Sequence, residues 1–427
     1  MSEAGAAARL FRSRDGAHLF MADGSRIYDL QEAEAARIGA GLAGGDAAVL
    51  APYMLREPCI TLEPVRPPPW RAVSLNIAQS CNMSCGYCYA DEGRFGGRAR
   101  MMARDIARAT AARLIEDAAP GDSIVIGFMG GEPLLNRDVL HDCVRHAEAL
   151  AAPRGVRVRF SLTTNATLIT PEDARLFAEH HFTVTVSIDG AAAQNDRQRP
   201  MHDGSGSHAR VLRGLDIMAQ HGRPAHLAAR ITATAGLNLR AALDHLLGLG
   251  FDGVGFSGAI TSRNEALRLH GDAALAYRDG LLACGEHALA ELLAGRRYPF
   301  SNLLVALEEL HRGTHRPYPC GAGAAYLSAD AEGGLHACHR LVDSPGFDMG
   351  NISSGPDESK RAALLARQHV DRMEPCRSCW ARYLCGGGCY HEVAAHGRDH
   401  CDTIRAWLEF CLRAYAELSV TRPEMFS

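Results

Sequence analysis

Cys81-Asn82-Met83-Ser84-Cys85-Gly86-Tyr87-Cys88 is the stretch that decides the interpretation of this chain. Its three cysteines are separated by three and then by two residues. A cubane 4Fe–4S cluster offers four iron corners for thiolates, so three cysteines from one loop leave one iron free to bind a small molecule. A structural zinc site is the alternative. It would need a fourth cysteine or histidine close by, and residues 82–92 offer none besides Cys85 and Cys88.

The composition is that of an ordinary globular protein. The chain has 427 residues, 47% of them apolar and 22% charged, which predicts two or three domains. A net charge of −4 indicates neither a nucleic-acid surface nor a polybasic membrane anchor. No run of 18 apolar residues and no signal-peptide pattern is present. We therefore predict a cytoplasmic protein without nucleic-acid or membrane partners, whose fourteen cysteines hold metal rather than form disulfides.

A second group of cysteines lies near the C-terminus. Four of them, Cys376 to Cys389, fall within fourteen residues, and three glycines before Cys389 let the backbone wrap closely. This spacing predicts a ligand loop, with zinc again the alternative because CxxC also occurs in zinc ribbons. The group comprises Cys320, Cys338, Cys376, Cys379, Cys385, Cys389, Cys401 and Cys411.

Between the two groups, strand-like and helix-like segments alternate. Such an alternation predicts a parallel sheet, in which ligand sites lie at the carboxyl ends of the strands. Several of the polar motifs, Gly130-Gly131-Glu132-Pro133, Asn165 and Ser187-Ile188-Asp189, fall at such ends. The predicted strands are residues 73–78, 123–129, 158–164, 182–188, 226–232 and 253–256, and residues 103–117 are a predicted helix.

The CxxxCxxC loop, with Tyr87 before the third cysteine, resembles the signature of the radical S-adenosylmethionine (SAM) enzymes. The resemblance implies a partial six-stranded (β/α) barrel over residues 70–265. It also implies that Cys81, Cys85 and Cys88 hold a 4Fe–4S cluster whose free iron binds SAM and splits it to a 5′-deoxyadenosyl radical.

The same resemblance assigns a SAM site around the strand ends. Gly130, Gly131 and Glu132 match the motif that holds the ammonium group of SAM, although Gly-Gly-Glu-Pro is also typical of a turn before a helix. Ser187 and Asp189 match the ribose-binding strand. Tyr87 and Asn165 belong to the same predicted site, and Asp196 with Arg199 match an acidic–basic element that follows it.

The C-terminal cysteines resemble the SPASM domain, which carries two auxiliary 4Fe–4S clusters in maturases of peptides and proteins. The implied cofactors are therefore three 4Fe–4S clusters and SAM. The last ligand is either Cys401, at the start of a predicted helix, or Cys411, among apolar residues; we favour Cys401. No cysteine lies between Cys320 and Cys338, the first two cysteines of the pattern. The first auxiliary cluster would therefore have an open iron. The implied ligands are Cys320, Cys338 and Cys389 for the first cluster and Cys376, Cys379, Cys385 and Cys401 for the second.

The remaining segments complete the predicted domains. Residues 1–65 contain two predicted strands around Ala22-Asp23-Gly24-Ser25, a hairpin signal, and a helix over residues 31–42. They suit a winged-helix-like module that binds a peptide by strand addition, or else a structural cap. Cys59, Cys143 and Cys284 are predicted to pack as small apolar side chains. The predicted domains are 1–65, the barrel 70–265, a helical connector 266–316 and the SPASM domain 317–427.

The sequence around Cys338-His339 and the Cys376–Cys389 block most resembles maturases that form thioether cross-links. These include the six-cysteine peptide maturases and the maturase of the small subunit of quinohemoprotein amine dehydrogenase, in which cysteines are joined to Asp or Glu side chains. The implied partners are a small Cys-containing peptide or protein and a reductant such as flavodoxin or ferredoxin.

His339 is the predicted catalytic base. Sulfatase maturases, which form formylglycine, commonly have an acidic residue at this position, so His339 argues against that activity, although histidine can itself accept a proton near neutral pH. A carbon–carbon cross-linking maturase would share every cofactor motif. A non-enzymatic iron–sulfur electron carrier is a further alternative, and it would not need the open three-cysteine site.

Overall fold

The computed structural model describes residues 6–57, 59–62 and 66–426. The chain divides into two compact units. The sheet unit comprises residues 66–273 and 321–364, and the terminal unit comprises residues 1–65, 274–320 and 365–427. The domain boundaries given by the sequence stay a prediction.

The regular elements are numbered here in chain order. The strands are β1 (Ala8–Ser13), β2 (Gly16–Met21), β3 (Arg26–Leu30), β4 (Ala72–Gln79), β5 (Arg100–Met101), β6 (Ser123–Gly130), β7 (Arg157–Thr164), β8 (Thr183–Ser187), β9 (His226–Ala233), β10 (Gly253–Gly258), β11 (Tyr326–Ala329), β12 (Gly334–His336), β13 (Asp348–Asn351) and β14 (Gly355–Pro356). The helices are α1 (Glu32–Gly44), α2 (Arg104–Glu116), α3 (Arg137–Ala151), α4 (Pro171–Glu179), α5 (Ala192–Gln198), α6 (His208–His221), α7 (Leu239–Leu247), α8 (Gly271–Leu293), α9 (Ser301–His311), α10 (Glu358–Gln368), α11 (Arg382–Cys385), α12 (Tyr390–His396) and α13 (Cys401–Thr421).

The sheet unit is built on a parallel sheet with the strand order β10-β9-β8-β7-β6-β4. Helices follow these strands and cover one face of the sheet, where rings such as those of Phe160 and Phe182, 5.3 Å apart, form the core. The six strands predicted from the sequence are confirmed. The fold is mixed α/β as predicted. The sheet is open, as in a partial barrel, since among the described residues β10 pairs with β9 alone.

A strand from much later in the chain extends this sheet. β11 pairs in parallel with β4, and β12, β13 and β14 continue the sheet as antiparallel neighbours. This pairing was not predicted. It brings Tyr326 and His339 to a cavity that the cysteine loop also lines.

The terminal unit contains a three-stranded antiparallel sheet, β1-β2-β3, with α1 packed on it. The predicted hairpin and helix are confirmed, but the prediction of two strands was wrong because β1 is a third. In β1 only Ala8 and Phe11 are buried, and this three-residue spacing does not show the alternation of a half-buried strand. Phe20 packs edge-on against Trp380, 5.9 Å away, so the hairpin shares a core with the C-terminal residues of the same unit.

The isolated cysteines lie in different environments. Cys143 and Cys284 are fully buried, as predicted. Cys59 is exposed, so the prediction that it packs in a core was wrong. Within the described part of the chain, every helix is too short or too polar to cross a bilayer.

Candidate active site and cysteine-rich site

Cys81, Cys85 and Cys88 lie in the loop that follows β4, and all three line one cavity of the sheet unit. The cavity has a volume of about 590 Å³ and lies against the inward-facing residues and carboxyl ends of the parallel strands. Burial raises the pKa of the Cys81 thiol to about 12 and also raises that of Cys85. Without a metal these two thiols are therefore protonated at neutral pH, and a metal would have to displace their protons.

The cysteine loop is held in place by a residue that follows β7 and by the last residue of α5. The Nδ2 of Asn165, just after β7, donates to Asn82 Oδ1 at 2.9 Å and lies 3.9 Å from Cys81 Sγ. Later in the loop, the backbone N–H of Gly86 donates to Gln198 O at 3.0 Å. Asn165 thus lines the cavity and also orients the first cysteine.

Gly130 and Gly131 end β6 in close contact with both ends of the cysteine loop. A Cβ atom at residue 131 would lie 2.2 Å from Ser80 O and 2.7 Å from Glu92 O. Gly130 has a φ of +137°, and a Cβ there would lie 2.3 Å from Ala78 O. Only glycine allows this approach, so the pair forms one wall of the cavity out of bare backbone.

Glu132 is fully buried and is not among the cavity-lining residues. Its carboxylate accepts hydrogen bonds from Thr164 Oγ1 at 2.7 Å, from the backbone N–H of Asn165 at 2.7 Å and from that of Leu134 at 3.1 Å. Burial raises the pKa of Glu132, and these three donors oppose the rise. The carboxylate therefore braces the ends of β6 and β7, and its direct contact with an ammonium group stays a prediction.

Ser187 and Asp189 have different surroundings. Ser187 lines the cavity, whereas Asp189 is fully buried behind it. Asp189 accepts hydrogen bonds from Tyr87 O–H at 2.5 Å and from the backbone N–H of Thr232 at 2.8 Å. The predicted contact of Asp189 with a ribose is not tested by this arrangement, which links the cysteine loop to β9.

Arg199 is a buried cation at the cavity wall. Its Nη1 donates to Tyr87 Oη at 2.5 Å, and its charge faces Cys85 and Asp189. Its Nε is buried without a hydrogen-bond partner among the described residues. An unsatisfied guanidinium N–H beside the cysteine loop suits a carboxylate ligand. The sequence indicated Arg199 only as part of an acidic–basic element and did not indicate its bond to Tyr87.

We expect Tyr87→Phe to destabilise the sheet unit by about 1–3 kcal/mol, because it leaves the buried Asp189 and Arg199 without their shared hydroxyl. Urea unfolding of the reconstituted protein measures this. Tyr28→Phe, on the half-exposed ring of β3, is the control and should change the free energy of unfolding by less than about 0.5 kcal/mol. Equal effects of the two substitutions would contradict the importance of the buried hydroxyl.

His339 also lines the cavity. Its Nδ1 lies 2.9 Å from Tyr326 Oη and 3.7 Å from Cys338 Sγ, and Tyr326 Oη lies 2.7 Å from Ser74 Oγ. Burial raises the pKa of Tyr326, so the phenol remains protonated. Neither Tyr326 nor Ser74 was predicted as a site residue. Their hydrogen bonds orient the imidazole of His339.

A second cysteine-lined cavity lies in the terminal unit. Burial raises the pKa of Cys385 to about 11, with Cys376 and Cys401 close enough to contribute. Arg398 and Arg405 line the same cavity. Cys411 does not line it and is fully buried in α13, which favours Cys401 as a ligand. The lining cysteines are Cys376, Cys379, Cys385, Cys389 and Cys401.

The predicted ligands of the first auxiliary cluster fall in both units. Cys320 and Cys389 belong to the terminal unit, and Cys338 belongs to the sheet unit. Their assignment to one cluster stays a prediction.

We expect Cys401→Ala to lower the iron content by up to about four atoms per chain, one cubane, because it removes a thiol of the second cavity. Iron and sulfide counts on anaerobically reconstituted protein measure this. Cys411→Ala is the matched control in the same helix and should keep its iron. Loss of iron in Cys411→Ala but not in Cys401→Ala would mean that Cys411 is the ligand instead of Cys401.

Comparison with known proteins agrees with this geometry. Residues 75–249 match the family model of the radical SAM superfamily. They form a radical SAM domain within this chain.

Longer comparisons extend beyond that domain. The serine-type anaerobic sulfatase-maturating enzyme of Klebsiella aerogenes is 28% identical over 359 residues, which cover 81% of this chain and 86% of the relative. The solved structure of native anSMEcpe with bound AdoMet and Cp18Cys peptide matches with a TM-score of 0.70 and 17% identity, covering 83% of this chain and 99% of the other. Streptococcus suis SuiB bound to its precursor peptide SuiA matches with a TM-score of 0.55 and 13% identity, covering 92% and 97%. The two structures show the fold.

Proposed function

We propose that this radical SAM enzyme matures a peptide or small protein and that it forms thioether cross-links between cysteine sulfur and carbon atoms of its substrate. The observation that carries the proposal is the cavity into which Cys81, Cys85, Cys88 and His339 all face. The comparison with a sulfatase-maturating enzyme and with two structures that hold peptides supports a peptide or protein substrate.

The residues around the cavity fit a 4Fe–4S cluster and SAM. Three thiols suit a cluster with one open iron, and the bare backbone of Gly130 and Gly131 leaves room for a ligand beside them. The unpartnered Nε of Arg199 suits the carboxylate of SAM. When bound, the cluster and SAM supply abstraction of a hydrogen atom from an unactivated carbon.

Forming a thioether removes two hydrogens and two electrons from the substrate. One hydrogen atom leaves carbon for SAM, the thiol loses a proton, and the remaining electron requires an acceptor. We assign the proton to His339, which Tyr326 orients. We assign the electron to auxiliary 4Fe–4S clusters, one of which is held by Cys376, Cys379, Cys385 and Cys401. The final acceptor of the electron is a redox protein of the same class as the reductant.

The N-terminal module gives a place for peptide binding. β3 is an edge strand of its sheet, since among the described residues it pairs with β2 alone. An extended peptide can add to such an edge through backbone hydrogen bonds. We therefore propose that β3 binds the part of the substrate that is not modified.

A second candidate function is oxidation of a serine or cysteine to formylglycine. It is favoured by the similarity to the serine-type sulfatase-maturating enzyme over most of both chains. The histidine at residue 339 is the reason for ranking it second.

The test is an anaerobic reaction of the reconstituted protein with SAM, dithionite and a Cys-containing small protein encoded by a neighbouring gene. Thioether formation predicts the loss of two hydrogen atoms per bond together with cysteines that resist alkylation. Formylglycine formation predicts a product that reacts with hydrazide reagents. Cleavage of SAM without either change would reject the thioether proposal but would still agree with a radical SAM enzyme.

A further inference from the structure

Arg230 lines the cavity of the sheet unit but is not among the residues assigned to the cofactor. Arg230 lies in β9, where Leu227, Ala229 and Ile231 are buried on the helix side of the sheet. Arg230 and Thr232 occupy the alternate positions and line the cavity. Arg230 is exposed, and its Nη1 lies 3.4 Å from Phe256 O of the neighbouring strand β10. Its guanidinium is therefore accessible from within the cavity.

The cavity wall around Arg230 is polar and leaves space for an occupant. Gly255 stands at the position of β10 that pairs with Arg230, and it has no side chain to fill the cavity. On the other side, Ser187 of β8 pairs with Arg230. Small hydroxyl side chains also line the cavity: Ser161, Thr163, Thr185, Thr232 and Ser257.

The charges that line the cavity favour an anion. Its charged lining residues are three arginines, Arg199, Arg230 and Arg340, and one carboxylate, Glu92. Glu92 already receives a hydrogen bond from Arg94 at 3.0 Å. An excess of positive charge along the wall lowers the free energy of a bound carboxylate.

Two arginines line different parts of the cavity. Arg199 contacts the cysteine loop, since its charge faces Cys85 and its Nη1 donates to Tyr87 Oη at 2.5 Å. Arg230 lies on β9, which is separated from β4 by three strands in the sheet order. With Arg199 assigned to the carboxylate of SAM, Arg230 is left for a second occupant of the cavity.

We propose that Arg230 determines substrate specificity by binding the side-chain carboxylate of an aspartate or glutamate in the substrate peptide. This proposal rests on the proposed function in one respect, namely that the second occupant of the cavity is a peptide. The planar guanidinium holds a carboxylate through two parallel N–H···O bonds. It thereby fixes the acidic residue, and the carbon atoms next to its carboxylate, relative to SAM.

The test measures binding rather than turnover, so that it stands apart from the cross-linking reaction. The probes are short blocked glycine peptides that contain one cysteine and one glutamate, or one cysteine and one glutamine, and a second pair with aspartate and asparagine. Each is titrated into the reconstituted, SAM-loaded protein, and the affinity ratio of acid to amide is determined. We expect the wild type to prefer an acidic peptide at least about tenfold, the value of one charge-assisted hydrogen bond.

Three variants locate this preference. Arg230→Gln should reduce the ratio to about one, and Arg230→Lys, which keeps the charge without the fork, should retain part of it. Arg240→Gln is the matched control, because Arg240 pairs with Asp244 on α7 and does not line the cavity; it should keep the wild-type ratio.

SAM also carries a carboxylate, so the affinity for SAM is measured on the same proteins. This measurement distinguishes binding of SAM by Arg230 from binding of the peptide. Weaker SAM binding in Arg230→Gln with an unchanged peptide ratio would mean that Arg230 binds SAM, and it would overturn the proposal. Equal affinity of the wild type for both members of each pair, or binding of neither, would also overturn it. A lost peptide preference without any cross-linked product would sustain Arg230 as the carboxylate site while rejecting thioether formation.

Discussion

Replacing Cys85 with alanine is expected to abolish reductive cleavage of SAM and to remove about four irons per chain, the content of one cubane. The reason is the number of thiols in the cavity of the sheet unit. Cys81, Cys85 and Cys88 line it together, and three is the number that leaves one iron open for SAM. With two thiols the cluster loses a corner. The measurement is 5′-deoxyadenosine formed by reconstituted protein with dithionite, together with its iron content.

Cys143→Ala is the control for this substitution. Cys143 is another fully buried thiol of the sheet unit, but it lies in α3, and its Sγ is 3.7 Å from Ala107 O. Its removal should lower stability slightly and leave SAM cleavage unchanged. The iron of the terminal unit should also survive in Cys85→Ala. If Cys85→Ala cleaved SAM as fast as the wild type, the cofactor could not be assigned to this loop.

The parallel sheet was predictable because its strands carry local signals. Each of the strands from β4 to β10, apart from the two-residue β5, is either a largely apolar run, as in β6, or an alternation of apolar and polar residues, as in β7 and β9. Both patterns are local and need no information from the rest of the chain. The cysteine loop, Gly130 and Asn165 therefore appear at the strand ends where the motifs placed them. Helix boundaries were predictable to within a few residues for the same reason.

The hydrogen bonds behind the cavity were not predictable, because they join residues far apart in sequence. The bond between Ser74 and Tyr326 spans 252 residues and depends on the pairing of β11 with β4. A four-residue strand gives little local signal. The support of His339 by a tyrosine thus follows only from the assembled sheet.

The motifs indicated which carboxylates matter but not what they contact. Glu132 and Asp189 were both predicted to face SAM. Both are fully buried next to the cavity wall and receive hydrogen bonds from protein donors, and their direct contact with SAM stays a prediction. A sequence motif records that a residue is needed, and a brace behind the site can be needed as much as a contact within it.

Gly131→Ala is expected to weaken SAM binding at least about tenfold and to destabilise the sheet unit by about 1–3 kcal/mol, the usual cost of overpacking. The added Cβ would lie 2.2 Å from Ser80 O and 2.5 Å from Ser80 C. These are backbone atoms directly before Cys81, so no side-chain rotation relieves the contact. Glu92 O, 2.7 Å away on the other side, blocks a shift in that direction. The cysteine loop must therefore move away from β6, which changes the distance between its thiols and the backbone wall.

Gly44→Ala is the matched control, since Gly44 ends α1 and an added Cβ there would have nothing within 4 Å. Alanine there should be neutral or slightly stabilising, because it favours the helix. Isothermal titration with SAM and urea unfolding measure both effects on reconstituted protein. The decisive comparison uses both the free energy of unfolding and the affinity for SAM. If Gly131→Ala is as stable as Gly44→Ala and binds SAM as tightly as the wild type, the close approach of β6 to the cysteine loop has no part in the site. Weaker SAM binding at an intact iron content would assign the effect to the backbone wall rather than to the cluster.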